Sequence, residues 1–185
     1  MEMIAQRFEE HLKLIQRVRS SKKIMREIEE AAVLLKVALV AGHKLLFCGN
    51  GGSAADAQHW AAEVVGRFQK ERPGMPAIAL TTDTSILTAV ANDYGYERIF
   101  ARQVEALGQA GDVLVAVSTS GNSANVVAAV VEAKAKGMKT IGLTAQGGGQ
   151  MAELCDVCIA IPSAVTARAQ EVHGLIGHIL CEFIE

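Results

Sequence analysis

Residues 44–66, KLLFCGNGGSAADAQHWAAEVVG, restrict the choice of folds more than any other stretch. A short apolar run, LLFC, passes directly into GNGGS and then into a segment of helical character. Gly49, Gly51 and Gly52 allow positive φ and a close approach of backbone to a ligand. The first amides of a helix have no partner within it and point out of its end. Strand, glycine turn and helix start together predict an anion cradle. Ser53 followed by Asp56 fits the reciprocal capping pattern. His59 and Glu63 are four apart and so share one helix face. The alternative is an ordinary tight turn leading into a helix with a solvated face.

From residue 44 onward the sequence alternates between strand and helix. Strands are expected at 44–48, 76–80, 112–118, 138–144 and 155–161, and helices at 53–66, 84–91, 96–107, 124–136 and 166–184. The run DVLVAVS lacks polar alternation, as strands buried on both faces do. GGG at 147–149 reads as a loose turn. Short strands with crossover helices predict an α/β fold: an open, parallel, five-stranded sheet with helices on both faces. Two helices precede it. Ile4, Phe8, Leu12 and Ile15 mark the first, SSKK breaks the run, and Ile24, Ile28, Ala31, Leu34, Leu35 and Ala38 mark the second, which Gly42 ends. Residues 1–43 are read as a helical segment of the same unit as 44–185. Their apolar stripes suit either packing within the chain or packing on another subunit.

Composition removes several classes of function. Half of the 185 residues are hydrophobic and 21% are charged, an apolar balance that suggests surface buried by self-association. The net charge is -2, no long basic block exists and aromatics make up 4%, so nucleic acid is an unsuitable ligand. No run approaches a membrane span and the N-terminus lacks a signal-peptide core, which points to the cytoplasm. Cys155 and Cys158 form a lone C-x-x-C, and Cys158 falls in the apolar run VCIAI, so the pair reads as core rather than zinc or redox chemistry.

A second turn, Ser118-Thr119-Ser120-Gly121-Asn122-Ser123, follows the strongest strand. Ligands of open α/β sheets bind beyond the carboxyl ends of the strands, where both turns lie. Hydroxyls and helix-head amides fit phosphate oxygens, although a serine-rich turn also suits simple capping. GNGGS lacks the G-x-G-x-x-G spacing of dinucleotide folds and the G-K-[ST] ending of a nucleotide P-loop. In the last helix, Gln170 and His178 are eight apart, a rise of roughly 12 Å with a modest angular offset, so both can face one cleft. His173 reads as structural and His43 as solvent-facing. His178 sits in the apolar segment LIGHIL and needs a polar partner if buried.

Four segments, CGNGGSAADAQHWAAEVVGRF, AVANDYG, STSGNSANV and RAQEVHGLIGHIL, make the chain resemble the sugar isomerase (SIS) family, and within it the sedoheptulose 7-phosphate isomerases. The likeness spans essentially the whole chain. It implies a flavodoxin-like SIS fold and conversion of sedoheptulose 7-phosphate to D-glycero-D-manno-heptose 7-phosphate, an aldose–ketose isomerisation that leads toward lipopolysaccharide. It further implies a homotetramer with active sites between subunits, and a zinc ion (Zn2+) on His59, Glu63, Gln170 and His178. Substrate contacts would be Asn50, Gly51, Gly52, Ser53, Asn92, Asp93 and Gln170, with phosphate on Ser118, Thr119, Ser120 and Ser123. Glu63 would act as base, touching substrate, and His178 as acid. Proteins that resemble this family over the full length include a non-catalytic scaffold for the DNA-replication initiator, but such a protein has no need of His59, Glu63, Gln170 and His178. Phosphosugar-sensing regulators would carry a helix-turn-helix, and residues 1–43 offer no clear recognition helix. Other phosphosugar isomerases of the same fold remain as alternatives.

Overall fold

The structure, a computed structural model, describes residues 2–185. Strands β1 (Leu45–Gly49), β2 (Ala77–Ala79), β3 (Val113–Val117), β4 (Lys139–Thr144) and β5 (Val157–Ala160) form one all-parallel sheet in the order β2-β1-β3-β4-β5. Alternate side chains of each strand enter opposite helical layers. Leu45, Phe47, Val113, Val115 and Val117 join α1 (Glu2–Ser20), α2 (Lys22–Val40), α3 (Gly52–Val65) and α8 (Thr166–Ile184). Leu46, Cys48, Leu114 and Ala116 join α4 (Thr84–Tyr94), α5 (Ala101–Leu107), α6 (Ala124–Ala135) and the short α7 (Met151–Leu154). The parallel α/β sandwich expected from the sequence is therefore present, with helices on both faces.

The two leading helices behave differently. Ser21 separates them and caps α2, its hydroxyl accepting from the amide of Ile24 at 3.3 Å. Ile24, Ile28, Ala31, Leu35 and Ala38 are buried, so α2 is an integral layer of this chain. Leu14 and Val18 anchor the C-terminal half of α1, whereas Ile4, Phe8 and Leu12 stay exposed.

Several boundaries differ from the sequence reading, each for a local reason. Helix α4 does not stop at residue 91 but carries Asn92 and Asp93 in its last turn. Asp83 caps its start, and Gly95, at φ +90°, ends it. The helix expected over 96–107 is split into a 3₁₀ turn at Tyr96–Arg98 and α5, because Ile99 and Phe100 turn into the core between them. The glycine run 147–149 is no loose turn. All three residues adopt positive φ, and a Cβ on Gly149 would lie 2.5 Å from the Ser120 carbonyl oxygen, so the run is packed beneath the serine turn. Strand β5 begins at Val157 rather than residue 155, since Cys155 caps α7 and the Asp156 carboxylate accepts from the amide and hydroxyl of Thr140. Cys155 and Cys158 are half-buried and free, and burial pushes the Cys155 thiol up to about 12, far from a reactive thiolate.

Helices α3 and α8 cross closely because Gly177 has no side chain. Any Cβ there would collide with the indole of Trp60, a buried residue packed edge-on to Phe47 at 6.4 Å. Further along α8, the buried His173 donates from Nε2 to the Thr144 carbonyl at 2.9 Å. Burial pushes its pKa down, outweighing that hydrogen bond, so it is a neutral structural histidine as expected. Replacing Gly177 with Ala tests the crossing. Helix propensity alone favours Ala by about 1 kcal/mol, whereas overpacking against Trp60 costs about 1–3 kcal/mol. Urea unfolding of Gly177→Ala should therefore show net destabilisation; a more stable variant would refute the tight crossing.

Candidate active site

The strand order reverses direction between β1 and β3, and a crevice of this kind, beyond the carboxyl ends of the strands, is where open α/β sheets hold ligands. Parallel register pairs Gly49 with Val117, so the turns after β1 and β3 emerge side by side. Gly51 supplies the positive φ (+57°) of the first turn. Gly49 and Gly52 do not adopt positive φ; they are needed for proximity. A Cβ on Gly49 would lie 2.7 Å from the Ser53 carbonyl oxygen, and one on Gly52 would lie 2.8 Å from Gln170 Nε2. The capping box expected from Ser53 and Asp56 is absent. Gly51 occupies the N-cap, no side chain caps α3, and Ser53 is buried one residue inside the helix. Asp56 faces His59 and His178 instead; burial pushes its carboxyl up, and the two imidazoles oppose that shift.

The second turn presents hydroxyls rather than caps. Ser123 holds the N-cap position of α6 but makes no capping bond. Its Oγ lies 3.0 Å from Ser118 Oγ, which is 3.3 Å from Ser120 Oγ. Three hydroxyls thus converge at a helix head, an arrangement suited to the oxygens of a phosphate. Asn122 fastens the turn to the glycine run, its Oδ1 accepting from the Gln150 amide at 3.0 Å. An open cavity of about 660 Å³ adjoins it, lined by Thr119, Ser120, Gln146, Gly147, Ser163 and Thr166.

Asn125, which the sequence reading missed, ties the two turns together. This buried residue of α6 exchanges amide hydrogen bonds with Asn50, 2.8 Å in each direction, and the Tyr96 hydroxyl donates to Asn50 Oδ1 at 3.2 Å. An asparagine shortly after a serine-rich turn was the available signal, but it could equally have faced solvent. Asn92 and Asp93 are exposed and bond to each other at 2.8 Å; it is Tyr96, just after α4, that reaches the first turn.

Along α3 and α8, the close crossing brings His59, Glu63 and His178 together. His59 Nε2 lies 3.0 Å from Glu63 Oε1 and 3.3 Å from His178 Nε2. One ligand atom from each of the three residues lies within 4.8 Å of the others, the one such group of His, Cys, Asp or Glu among the described residues. The two imidazoles meet edge to face, and Phe68 stacks on His178 with ring centroids 5.4 Å apart. His178 is half-exposed rather than buried, with His59 as its polar neighbour. Two imidazole nitrogens and a carboxylate oxygen converging on one point form a donor set suited to zinc, and three protein ligands leave a position open for chemistry. Gln170, the fourth expected ligand, has its amide against Gly52 at the first turn. His43 is partly exposed, 3.8 Å from Asp112.

The SIS domain family model matches residues 8–145. The phosphoheptose isomerase of Rhodospirillum rubrum is 60% identical over 158 residues, covering 85% of this chain and 84% of its own. That of Nitratiruptor sp. is 53% identical over 185 residues, covering 100% of this chain and 98% of its own. The chain belongs to the phosphoheptose isomerase family of SIS-domain proteins. The solved phosphoheptose isomerase of Neisseria gonorrhoeae superposes with a TM-score of 0.93 at 47% identity, covering 99% of this chain and 97% of that one. More distant neighbours, including a sugar isomerase domain of a transcription factor from Sphaerobacter thermophilus at 19% identity, share the fold alone. Relatives named as phosphoheptose isomerases lend no support to the initiator-binding scaffold considered from the sequence.

The amide exchange between Asn50 and Asn125 predicts a specific cost. Asn125→Ala leaves the Asn50 amide without its partner, which should lower stability to urea by about 1–3 kcal/mol. A change under about 0.5 kcal/mol, the scale of an uninvolved surface substitution, would show that the pair does not hold the turns together.

Proposed function

We propose that the chain interconverts sedoheptulose 7-phosphate and D-glycero-D-manno-heptose 7-phosphate through an enediol. The observation that carries this reading is the meeting of His59, Glu63 and His178 on helices that begin at the same end of the sheet as the hydroxyl turn. Ser118, Ser120 and Ser123, with Thr119, hold the phosphate. Exposed Gly51 and Gly52, together with Asn50 and Gln170, line the sugar's path with Ser53 buried behind them, and Asn92 and Asp93 close its rim from α4. Gly52 and His59 are separated by a rise of roughly 10 Å along α3.

Glu63 is the base. Its carboxylate removes a proton from C1 of the ketose, leaving an enediol, and returns it to C2 to give the aldose. His178 moves the accompanying proton between the C1 and C2 oxygens. His59, in contact with both, keeps the carboxylate and the second imidazole on one side of the cleft. His59, Glu63 and His178 fit a zinc ion, which when bound would polarise the carbonyl and stabilise the enediolate. The position of Gln170 at Gly52 suits a substrate contact better than a fourth ligand.

The exposed apolar residues of α1, α2 and α8, among them Phe8, Leu12, Val37, Val40, Ile179 and Phe183, favour a homo-oligomer. A tetramer with sites at its interfaces is the form proposed, in the cytoplasm. No helix among the described residues is long and apolar enough to cross a membrane.

Glu63→Gln should lower kcat by about a thousandfold or more while leaving phosphosugar binding in place; NMR of the product from sedoheptulose 7-phosphate reads the outcome, and retained turnover would remove Glu63 as the base. His178→Asn should lower kcat with little change in KM, and an unchanged kcat would remove His178 as the acid. Chelation should reduce activity and added zinc restore it; activity indifferent to chelator would assign the chemistry to the protein groups alone.

A further inference from the structure

The segment between α3 and β2, residues 66–76, contains neither helix nor strand, yet Phe68 from this segment stacks on His178. Something other than a backbone ladder has to hold it. The Glu185 carboxylate at the end of α8 accepts three consecutive amides from this segment: Phe68 N to Oε1 at 2.8 Å, and Gln69 N and Lys70 N to Oε2 at 2.9 Å each. Its side chain is only 1% exposed, and Arg72 Nε lies 3.3 Å from Oε1. The same guanidinium donates to the carbonyls of Glu63 at 2.9 Å, Val64 at 3.0 Å and Pro73 at 3.1 Å. Gln69 and Lys70 are exposed and bury nothing that would fix them. A carboxylate held by successive backbone amides is a strong, charge-assisted anchor.

We propose that Glu185 is a positioning residue for the reaction, gathering residues 68–70 and Arg72 so that Phe68 is held against the His178 ring. Arg72 extends the clamp to the last turn of α3, so one carboxylate sets the ring of the acid and steadies the backbone that carries the base. Burial raises the Glu185 pKa, but the amides of Lys70, Gln69 and Phe68 and the charge of Arg72 lower it further, to about 2. A folded value below the ordinary 4.5 contributes stability that is present above 4.5 and lost as pH falls toward about 2. The clamp is therefore charged wherever the protein is folded near neutrality.

This inference rests on the reading of His178 as the acid, and its test separates the two. Glu185→Ala, Phe68→Leu and the double variant are prepared in the full-length, zinc-supplemented protein. Each is assayed with sedoheptulose 7-phosphate, and the His178 Cε1–H signal is followed by NMR with labelled histidine. Each single variant should lose roughly ten- to a hundredfold in kcat, as a misplaced group does, with KM within about twofold. The double variant should be no worse than the poorer single, because both act on one contact. In Glu185→Ala the His178 signal should lose the ring-current displacement caused by Phe68. Parent-level kcat in either single variant, multiplicative losses, or an unmoved His178 signal in Glu185→Ala would overturn the proposal. Should Glu185→Ala fail to fold, Glu185→Gln, which keeps the length of the side chain but removes its charge, takes its place in the kcat and His178 measurements, with the same outcomes deciding the proposal. An active His178→Asn variant would instead remove the acid role, while the His178 signal in Glu185→Ala would still report whether the clamp places the ring.

Discussion

The side-by-side pairing of β1 and β3 is the constraint on which the site depends. Parallel register delivers both strands to the same rim, so two helix-opening turns emerge next to each other. The exchange of amides between Asn50 and Asn125 then joins turns that are 75 residues apart in sequence. Without it, the two turns would be neighbours with no side-chain bond between Asn50 and Asn125. With it, exposed glycine backbone and a group of three hydroxyls share one rigid edge.

A second constraint operates on the helices behind that edge. Gly177 lets α8 press against Trp60 on α3, and residues of the two helices then meet in sequence: Gln170 at Gly52, His178 at His59. A wider crossing would carry His178 away from His59 and dissolve the group that includes Glu63. The meeting of His59, Glu63 and His178 is thus a consequence of core packing, and the segment holding Phe68 and Arg72 finishes it from the far end of the same helix pair.

Much of this was legible in the sequence because the physics was local. Unalternating runs such as VLVAV marked buried parallel strands, and the i, i+4 spacing of His59 and Glu63 put them on one face. The periodicity of α1 and α2 likewise marked their apolar stripes, although it could not say that α2 packs inside the chain while half of α1 stays open. What escaped the reading was decided by tertiary contact. Ser53 and Asp56 matched a capping pattern, but Gly51 took the cap and Asp56 was drawn toward the imidazoles. The three glycines at 147–149 read as slack, because only the assembled fold shows the serine turn resting on them. Asn125 lay within the segment STSGNSANV but with no role to read from it, and Glu185 lay in no motif; their partners are 75 residues or more away in the chain.

The central claim is that the hydroxyl turn after β3 holds the phosphate while Glu63 meets the other end of the sugar. A crystal structure of the protein with sedoheptulose 7-phosphate tests it most directly. The account predicts phosphate oxygens on Ser118, Ser120 and Ser123, with the Glu63 carboxylate about 3–3.5 Å from C1 and C2, the separation of a reactive pair. A phosphate bound elsewhere, or a Glu63 carboxylate turned away from both carbons, would contradict it.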